Sequence, residues 1–221
     1  MTKGIVVLAQ NNATDNYVEQ AALLAMSLRY HNDANISLIT DDQVPEEYVN
    51  LFDKIIPIPF GDSAEDSEWK VENRWKIYHA SPYDETIVMD TDMLVLQNID
   101  TWWDFLSNYE MFFTSNVLTY RGETANTSYY RQTFISNNLP NLFCGFHYFK
   151  KCEFAKEFYT WLELVVNNWE TFYEQHLEAT TRPKHVSIDV CSAIVVKILN
   201  CEAVITNKVA KFPSFTHMKP Y

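Results

Sequence analysis

The sequence predicts an α/β fold with a mostly parallel central sheet flanked by helices. Short β-branched runs alternate with helical patterns four times in the first half of the chain, which is typical of β-α-β units. The 221 residues are 47% hydrophobic and 15% aromatic, enough to bury a core without disulfides or metals. We expect one domain over residues 1–221, with the carboxyl ends of the parallel strands at one edge, where ligands bind.

The first half supplies the parallel part of this sheet. Its predicted strands are the apolar runs Ile5–Ala9, Ile36–Thr40, Ile55–Ile58 and Thr86–Met89. Tyr17 to Tyr30 carries apolar residues at helical spacing, and Thr14, Asp15 or Asn16 can cap it. Pro45 opens a short second helix, and Trp69 to His79 is predicted as a third.

The second half is less regular. The pattern predicts strands at Met111–Thr114, Phe143–Phe149 and Ala203–Ile205, and helices at Thr101–Asn108, Lys151–Val166 and Ile188–Leu199. Thr119 to Asn138 is polar and rich in Tyr, Asn and Thr, which indicates a long loop or hairpin.

Glycine and cysteine usage excludes several classes of site. The chain has four glycines, and they are too widely spaced for a P-loop, a dinucleotide-binding loop or a hydrolase nucleophile elbow. The four cysteines form no C-x-x-C pair, so we expect reduced thiols that fill the core of a cytoplasmic protein.

The formal net charge of −12 constrains the partners. Nucleic acid and anionic membrane surfaces are polyanions, so neither is an expected partner. No apolar run approaches the ~20 residues that a membrane span needs. An anionic substrate would need a bound metal ion or a local Lys/Arg cluster to neutralise it.

Asp90 and Asp92 are the most informative candidate residues. They lie between the apolar runs Thr86–Met89 and Met93–Leu96. Residues two apart on extended backbone point to the same side, and paired carboxylates can bind Mn²⁺ or Mg²⁺, which in turn can bind a diphosphate. The alternative is a solvated aspartate turn.

The segment Tyr83 to Asp100 resembles the D-x-D segment of glycosyltransferase family 8, which includes glycogenin and bacterial lipooligosaccharide galactosyltransferases. Weaker similarity extends to Val7–Leu28, Arg74–Lys76, Ser187–Asp189 and the ending His217–Pro220. The resemblance implies the Rossmann-like GT-A fold, a nucleotide-sugar donor (usually a UDP-sugar), Mn²⁺, and retention of anomeric configuration.

The resemblance also implies residue roles. Asp90, Asp92 and His217 would bind the metal, and Asp189 and Lys76 would act in catalysis. The implied donor-binding residues are Leu8, Ala9, Asn11, Tyr17, Lys76, Asp90, Thr91 and Lys219. Ordinary structural roles remain open for several of them: a turn residue for Asn11, a helix cap for Asp189 and a solvated side chain for each lysine.

Two segments depart from the family pattern. Family members end in H-x-x-G-x-x-K-P, whereas His217 and Lys219 are two apart with no glycine between them. Phe143-Cys144-Gly145 stands where members have Asn-Ser/Ala-Gly. We predict metal-dependent transfer of a sugar from a nucleotide-sugar to a glycan, protein or small-molecule acceptor. The alternatives are a catalytically degenerate nucleotide-sugar or glycan-binding protein, and a sugar-1-phosphate nucleotidylyltransferase.

Overall fold

Strands and helices alternate through the computed structural model, which describes residues 1–65, 67–115, 117–119, 121–123, 131–206, 212 and 215–217. The strands are β1 (Lys3–Leu8), β2 (Ile36–Ile39), β3 (Lys54–Ile56), β4 (Glu85–Met89), β5 (Met111–Thr114), β6 (Val117–Thr119), β7 (Phe143–Lys150) and β8 (Phe215–His217). The α-helices are α1 (Tyr17–His31), α2 (Glu46–Val49), α3 (Ile77–Ala80), α4 (Asp100–Leu106), α5 (Gln132–Ser136), α6 (Glu153–Asn167), α7 (Trp169–His176), α8 (Ile188–Leu199) and α9 (Glu202–Ile205). A 3₁₀ helix, Val71–Lys76, precedes α3.

The main sheet has the strand order β3-β2-β1-β4-β7-β5. The first four strands of this order are parallel, whereas β7 is antiparallel to both β4 and β5. The predicted mostly parallel α/β sheet is therefore confirmed. Because β7 runs against β4, Phe146 near the start of β7 lies opposite Met89 at the end of β4.

The sheet buries both of its faces. Val6 and Val88 pack on one face with α6 and α8, while Ile5 and Ile87 pack on the other face with α1. Successive side chains of a strand point to opposite faces, so runs that are apolar at every position indicate a sheet covered on both sides. All six strands of this sheet overlap strands predicted from the sequence, and the edge strand β3 is the one that is largely exposed.

Local capping explains where the long helices begin and end. The Asn16 side chain accepts a 3.0 Å hydrogen bond from the Glu19 N–H and so caps the start of α1. At the other end of the chain, Asn200 adopts the left-handed conformation (φ 50°) that commonly terminates a helix such as α8.

Three predicted elements differ from the structure, and one helix was not predicted. Ala203–Ile205 was predicted as a strand but lies in the short helix α9, because a three-residue apolar run cannot distinguish the two. Trp69 to His79 is a 3₁₀ helix followed by α3 rather than one α-helix. The predicted loop Thr119 to Asn138 contains α5, and α7 was not predicted.

The prediction that the thiols mostly fill the core is confirmed by their burial. All four cysteines are free, and Cys144, Cys191 and Cys201 are buried. Within the described part of the chain, no helix combines the length and the hydrophobicity that crossing a bilayer requires. The single domain over residues 1–221 and the cytoplasmic location stay predictions.

Candidate functional site

The carboxyl ends of the parallel strands bring the candidate residues to one edge of the sheet. Asn11 follows β1, Asp42 follows β2, and Asp90 follows β4. The Asn11 N–H donates a 2.7 Å hydrogen bond to the Asp42 carboxylate, which fixes the first two strand ends together. This edge is where the sequence predicted a binding site.

The loop after β1 is held mainly by its own polar side chains. The Asn11 Oδ1 accepts a 3.0 Å hydrogen bond from the Val18 N–H and so supports the first turn of α1. Leu8 and Ala9 are 5% and 0% exposed, so only their backbone could contact a ligand. Thr91 is buried and donates to Gln20 Oε1 at 2.9 Å.

Tyr17 begins α1, within electrostatic range of the aspartate pair. Burial raises the pKa of the Tyr17 hydroxyl, and the Asp15 and Asp92 carboxylates raise it further. Asp92 is exposed at the turn that follows β4. The predicted donor-binding aromatic and the predicted metal ligand therefore lie within electrostatic range of each other.

Arg74 pairs directly with Asp90. Its guanidinium contacts the Asp90 Oδ1, with side chains that are 19% and 24% exposed. Burial lowers the pKa of Arg74, but the Asp90 carboxylate and other nearby groups together raise it, so the net shift is upward. The guanidinium is thus fixed as a cation at the end of β4.

Gly145 lets this carboxylate sit against the backbone of β7. The Asp90 N–H donates a 2.8 Å hydrogen bond to the Gly145 carbonyl. A Cβ at position 145 would lie 2.7 Å from the Asp90 Oδ2 and 2.7 Å from the Phe143 ring. Only glycine leaves the carboxylate in its present position.

Asp189 joins α8 to the same corner of the site. Its Oδ1 accepts a 2.8 Å hydrogen bond from the Cys144 N–H, and its Oδ2 pairs with the Arg131 guanidinium at 3.1 Å. Asp189 also contributes to the upward pKa shift of Arg74. The structure therefore brings Asp189, Arg74 and Asp90 together, and Asp189 bonds to β7 rather than to the N–H groups of its own helix.

Lys76 lies apart from this group. Its side chain is fully buried, and its ammonium donates to the Gly61 carbonyl (2.5 Å), the Ser63 Oγ (2.8 Å) and the Asn73 Oδ1 (2.6 Å). Burial lowers its pKa. These three acceptors use all three N–H donors of the ammonium, so in this structure Lys76 holds the loop after β3. Its predicted roles in donor binding and catalysis are not supported by contacts here and stay predictions.

The predicted metal site is described only in part. His217 lies in β8, where it pairs with Thr119 of β6, and Lys219 lies outside the described residues. Among the described side chains, no three of the types His, Cys, Asp or Glu come together as a metal cluster. The described part of the chain thus offers the two carboxylates of Asp90 and Asp92, one of them already paired with Arg74.

Sequence comparisons give no match: neither a family model nor a curated protein matches this chain. Solved structures do match. GlyE of Streptococcus pneumoniae, a glycosyltransferase, superposes with a TM-score of 0.53 at 15% identity, over 94% of this chain and 46% of that one. Mouse xyloside xylosyltransferase 1 in its apo form gives 0.56 at 10% identity, over 93% and 84%. An active-site mutant of LgtC gives 0.52 at 14% identity, over 87% and 70%.

The chain has the GT-A fold. The resemblance to GT-A glycosyltransferases that the sequence suggested is confirmed at the level of this fold, while family 8 in particular is only weakly supported. The chain spans about half the length of the GlyE chain that it matches.

The sequence did not single out Arg74 or Gly145, although both contact Asp90. Arg74 belonged to the basic segment noted in the sequence, but Lys76 was selected from it. In a 3₁₀ helix, side chains two positions apart leave the axis in directions about 120° apart, so only one of the two residues can face Asp90. The planar guanidinium of Arg74 is also better suited than an ammonium to pairing with a carboxylate. Gly145 was noted only as part of a departing motif, and no local signal connects it to Asp90.

Proposed function

We propose that the protein transfers a sugar from a nucleotide-sugar donor, a UDP-hexose, to an acceptor hydroxyl with retention of configuration. One observation carries the proposal: in a GT-A fold, the Arg74–Asp90 pair lies at the carboxyl edge of the sheet, beside Asp92 and Tyr17. Charge of both signs and an aromatic ring next to an open strand edge suit a nucleoside diphosphate.

In this proposal the donor lies along the loop after β1. The Tyr17 ring stacks on the base, and Asn11 with the backbone of Leu8 and Ala9 lines the nucleoside. Thr91 and Asp90 lie nearer the sugar, and Lys219 contacts the phosphates. An acidic chain of net charge −12 needs cations at this point, and Arg74 supplies such a cation beside Asp90.

The described side chains supply part of a ligand set for a divalent cation. Carboxylate oxygens are the ligands that Mn²⁺ and Mg²⁺ prefer, and we propose Asp90, Asp92 and His217 as the residues that hold it. When bound, such an ion neutralises charge on the departing nucleoside diphosphate. Asp90 would then bind the cation alongside Arg74, whose guanidinium orients the carboxylate.

The protein side chains fix geometry around the reacting centre. Asp189, held by the Cys144 N–H and by Arg131, presents a rigid carboxylate next to the Arg74 guanidinium. We propose that this carboxylate contacts the donor sugar. Its two hydrogen-bonded partners keep it from rotating, which is the kind of preorganisation that favours a transition state.

The direct test is a thermal-shift screen of nucleotide sugars, followed by donor hydrolysis and transfer assays with Mn²⁺ or with EDTA. UDP with Mn²⁺ should raise the melting temperature more than UDP with EDTA does. Equal stabilisation in EDTA would contradict the metal bridge. His217→Ala should shift the dependence of activity on Mn²⁺ concentration to higher concentration, by about tenfold or more, at unchanged melting temperature.

A binding protein without turnover is the second candidate. The Arg74 guanidinium already neutralises Asp90, and the described side chains form no three-ligand cluster. If nucleotide sugars bind without donor hydrolysis in the presence of Mn²⁺, this alternative replaces the enzyme.

A further inference from the structure

A cleft of about 560 Å³ opens between the loop after β3 and the segment that precedes α8. We call it the acidic cleft. Its lining residues are Asp62, Ser63, Glu65, Ser67, Glu68, Trp69, Glu72, Trp169, His185 and Val186. They combine four carboxylates, two hydroxyls and two indole rings, and the described lining contains no lysine or arginine.

Two lysines lie beside this cleft, and their charges act on Asp62. The Lys70 ammonium folds back onto its own loop and donates to the carbonyls of Ala64 (2.7 Å) and Glu65 (2.6 Å). The Lys76 ammonium is buried beneath Gly61 and Ser63. Both lysines therefore hold the loop in shape by bonding to backbone and hydroxyl oxygens, while the carboxylates of Glu65 and Glu68 stay exposed.

The acidic cleft adjoins the donor site through direct contacts. The Asn12 Nδ2, in the loop after β1, donates a 2.9 Å hydrogen bond to the Glu68 carbonyl. The Asn73 Nδ2 bridges the Gln10 Oε1 (2.6 Å) and the Asp62 Oδ1 (2.5 Å). One side of the cleft is thus bonded to the loop that follows β1. On the other side, Val186 comes just before α8, whose first turn contains Asp189.

One carboxylate oxygen of the cleft lacks a hydrogen-bond donor. The Glu72 Oε2 is fully buried, and within the described part of the chain no donor reaches it. Glu72 lies in the same 3₁₀ helix as Arg74. A buried carboxylate oxygen without a donor is unfavourable, and a ligand that brings N–H groups would relieve that cost once a movement of the Glu72 side chain exposes this oxygen.

We infer that the acidic cleft is the acceptor site of the proposed transferase, and that it selects an acceptor bearing an amino sugar in its ammonium form. Indole rings offer a flat surface for the C–H face of a sugar ring and attract cations. The exposed carboxylates of Glu65 and Glu68 favour an ammonium and disfavour uronic acids or phosphorylated acceptors. This inference rests on the proposed function.

The test compares a glucosamine oligosaccharide with its N-acetylated counterpart, which has the same ring hydroxyls but no charge. Calorimetric titration of the intact chain should show the amine form binding on the order of 10-fold tighter, with added salt weakening that preference. Equal affinity for both forms, or no binding of either, would overturn the inference.

A matched pair of charge variants locates the effect. Glu65→Gln with Glu68→Gln should remove the preference for the amine form, since both side chains are exposed and their replacement leaves the core intact. Glu46→Gln with Glu47→Gln, on α2, changes the net charge equally and should leave the preference in place. A loss in both pairs would mean that net charge alone is responsible, and would overturn the cleft as the site.

Binding of UDP with Mn²⁺ is measured on the same samples. If the amine form binds at the acidic cleft but no nucleotide sugar binds or is hydrolysed, the proposed transferase is wrong while an amino-sugar site remains. If nucleotide sugars are turned over but the two oligosaccharides are indistinguishable, the transferase stands and the acceptor class is wrong.

Discussion

The guanidinium of Arg74 lies against the Oδ1 of Asp90, where the 3₁₀ helix meets the carboxyl end of β4. The two residues are distant in sequence, and the pair ties the helix to the strand end. Both side chains are largely buried, so the pair orients one carboxylate and presents one fixed cation at the edge of the sheet.

Arg74→Ala should weaken binding of UDP-sugars by about tenfold or more, because the fixed cation is lost and the Asp90 charge is left uncompensated. Titration of UDP measures the effect. Arg29→Ala is the matched control: it breaks the exposed Arg29–Asp53 pair, which lies at the opposite edge of the sheet. Similar donor affinity in the two variants would show that Arg74 has no role in binding.

Lys76→Met should act on stability. Three oxygens that now accept hydrogen bonds from the buried ammonium would lose their donor, at a cost of about 2–4 kcal/mol in the free energy of unfolding. Urea denaturation measures it. Lys151→Met, which removes one bond from an exposed lysine to the Ser81 carbonyl, should cost much less. If Lys76→Met instead raises KM for the donor at unchanged stability, the role predicted from the resemblance is correct.

Gly145→Ala should impair the donor site more than the fold. The added methyl would lie 2.7 Å from the Asp90 Oδ2, so the carboxylate must move and its pairing with Arg74 must change. We expect donor affinity or activity to fall by about tenfold, with a loss of about 1–3 kcal/mol in stability. At Gly122, nothing lies within 4 Å of an added methyl, so Gly122→Ala introduces backbone strain alone (φ 77°). Unchanged donor affinity in Gly145→Ala would contradict the close approach.

Stability should fall between about pH 6.5 and pH 4 in part because of His147. Its Nδ1–H donates to the Cys144 carbonyl (2.9 Å), and its Nε2 accepts from the Tyr159 hydroxyl (2.8 Å), so the neutral ring is fully bonded. Burial lowers the pKa of His147 to about 4. Below the ordinary pKa of histidine the unfolded chain binds a proton that the folded chain does not, and stability decreases as pH falls until both are protonated.

The expected contribution of His147 is about 3 kcal/mol over that range. It is measured as the difference in pH dependence of unfolding between the wild type and His147→Gln. Observation of the ring by NMR provides an independent readout in the wild type alone. A midpoint near 6.5 for the His147 ring signals would show that the site is not as buried as the contacts indicate.

The sequence predicts secondary structure best where consecutive residues of an element are all buried. Runs such as Ile5–Ala9 and Thr86–Met89 predict strands covered on both faces, because nearly every position is apolar. It was least informative where a short apolar run stands alone. Ala203–Ile205 became a helix since tertiary packing overrides β-propensity over so few residues.

The candidate site was predictable to the extent that topology determines it. Asp90, Asp92 and Asn11 lie where parallel strands end, and a right-handed crossover must bring those ends together. The choice between Arg74 and Lys76 depends on which way each side chain leaves the 3₁₀ helix, and sequence spacing does not specify the helix type. The pairing of Asp90 with Gly145 depends on the reversed direction of β7, which follows from the tertiary fold alone.

The strand order has a consequence for how the molecule folds. Strands β1, β2 and β3 can associate through successive local crossovers, whereas β4 pairs with β1 across residues 9–84 and β7 pairs with β4 across residues 90–142. Closing such a long loop is entropically costly and slow relative to local pairing. The backbone that supports Asp90 is therefore completed late, so β1, β2 and β3 should acquire protection from hydrogen exchange during refolding before β4 and β7 do, and before any ligand can bind.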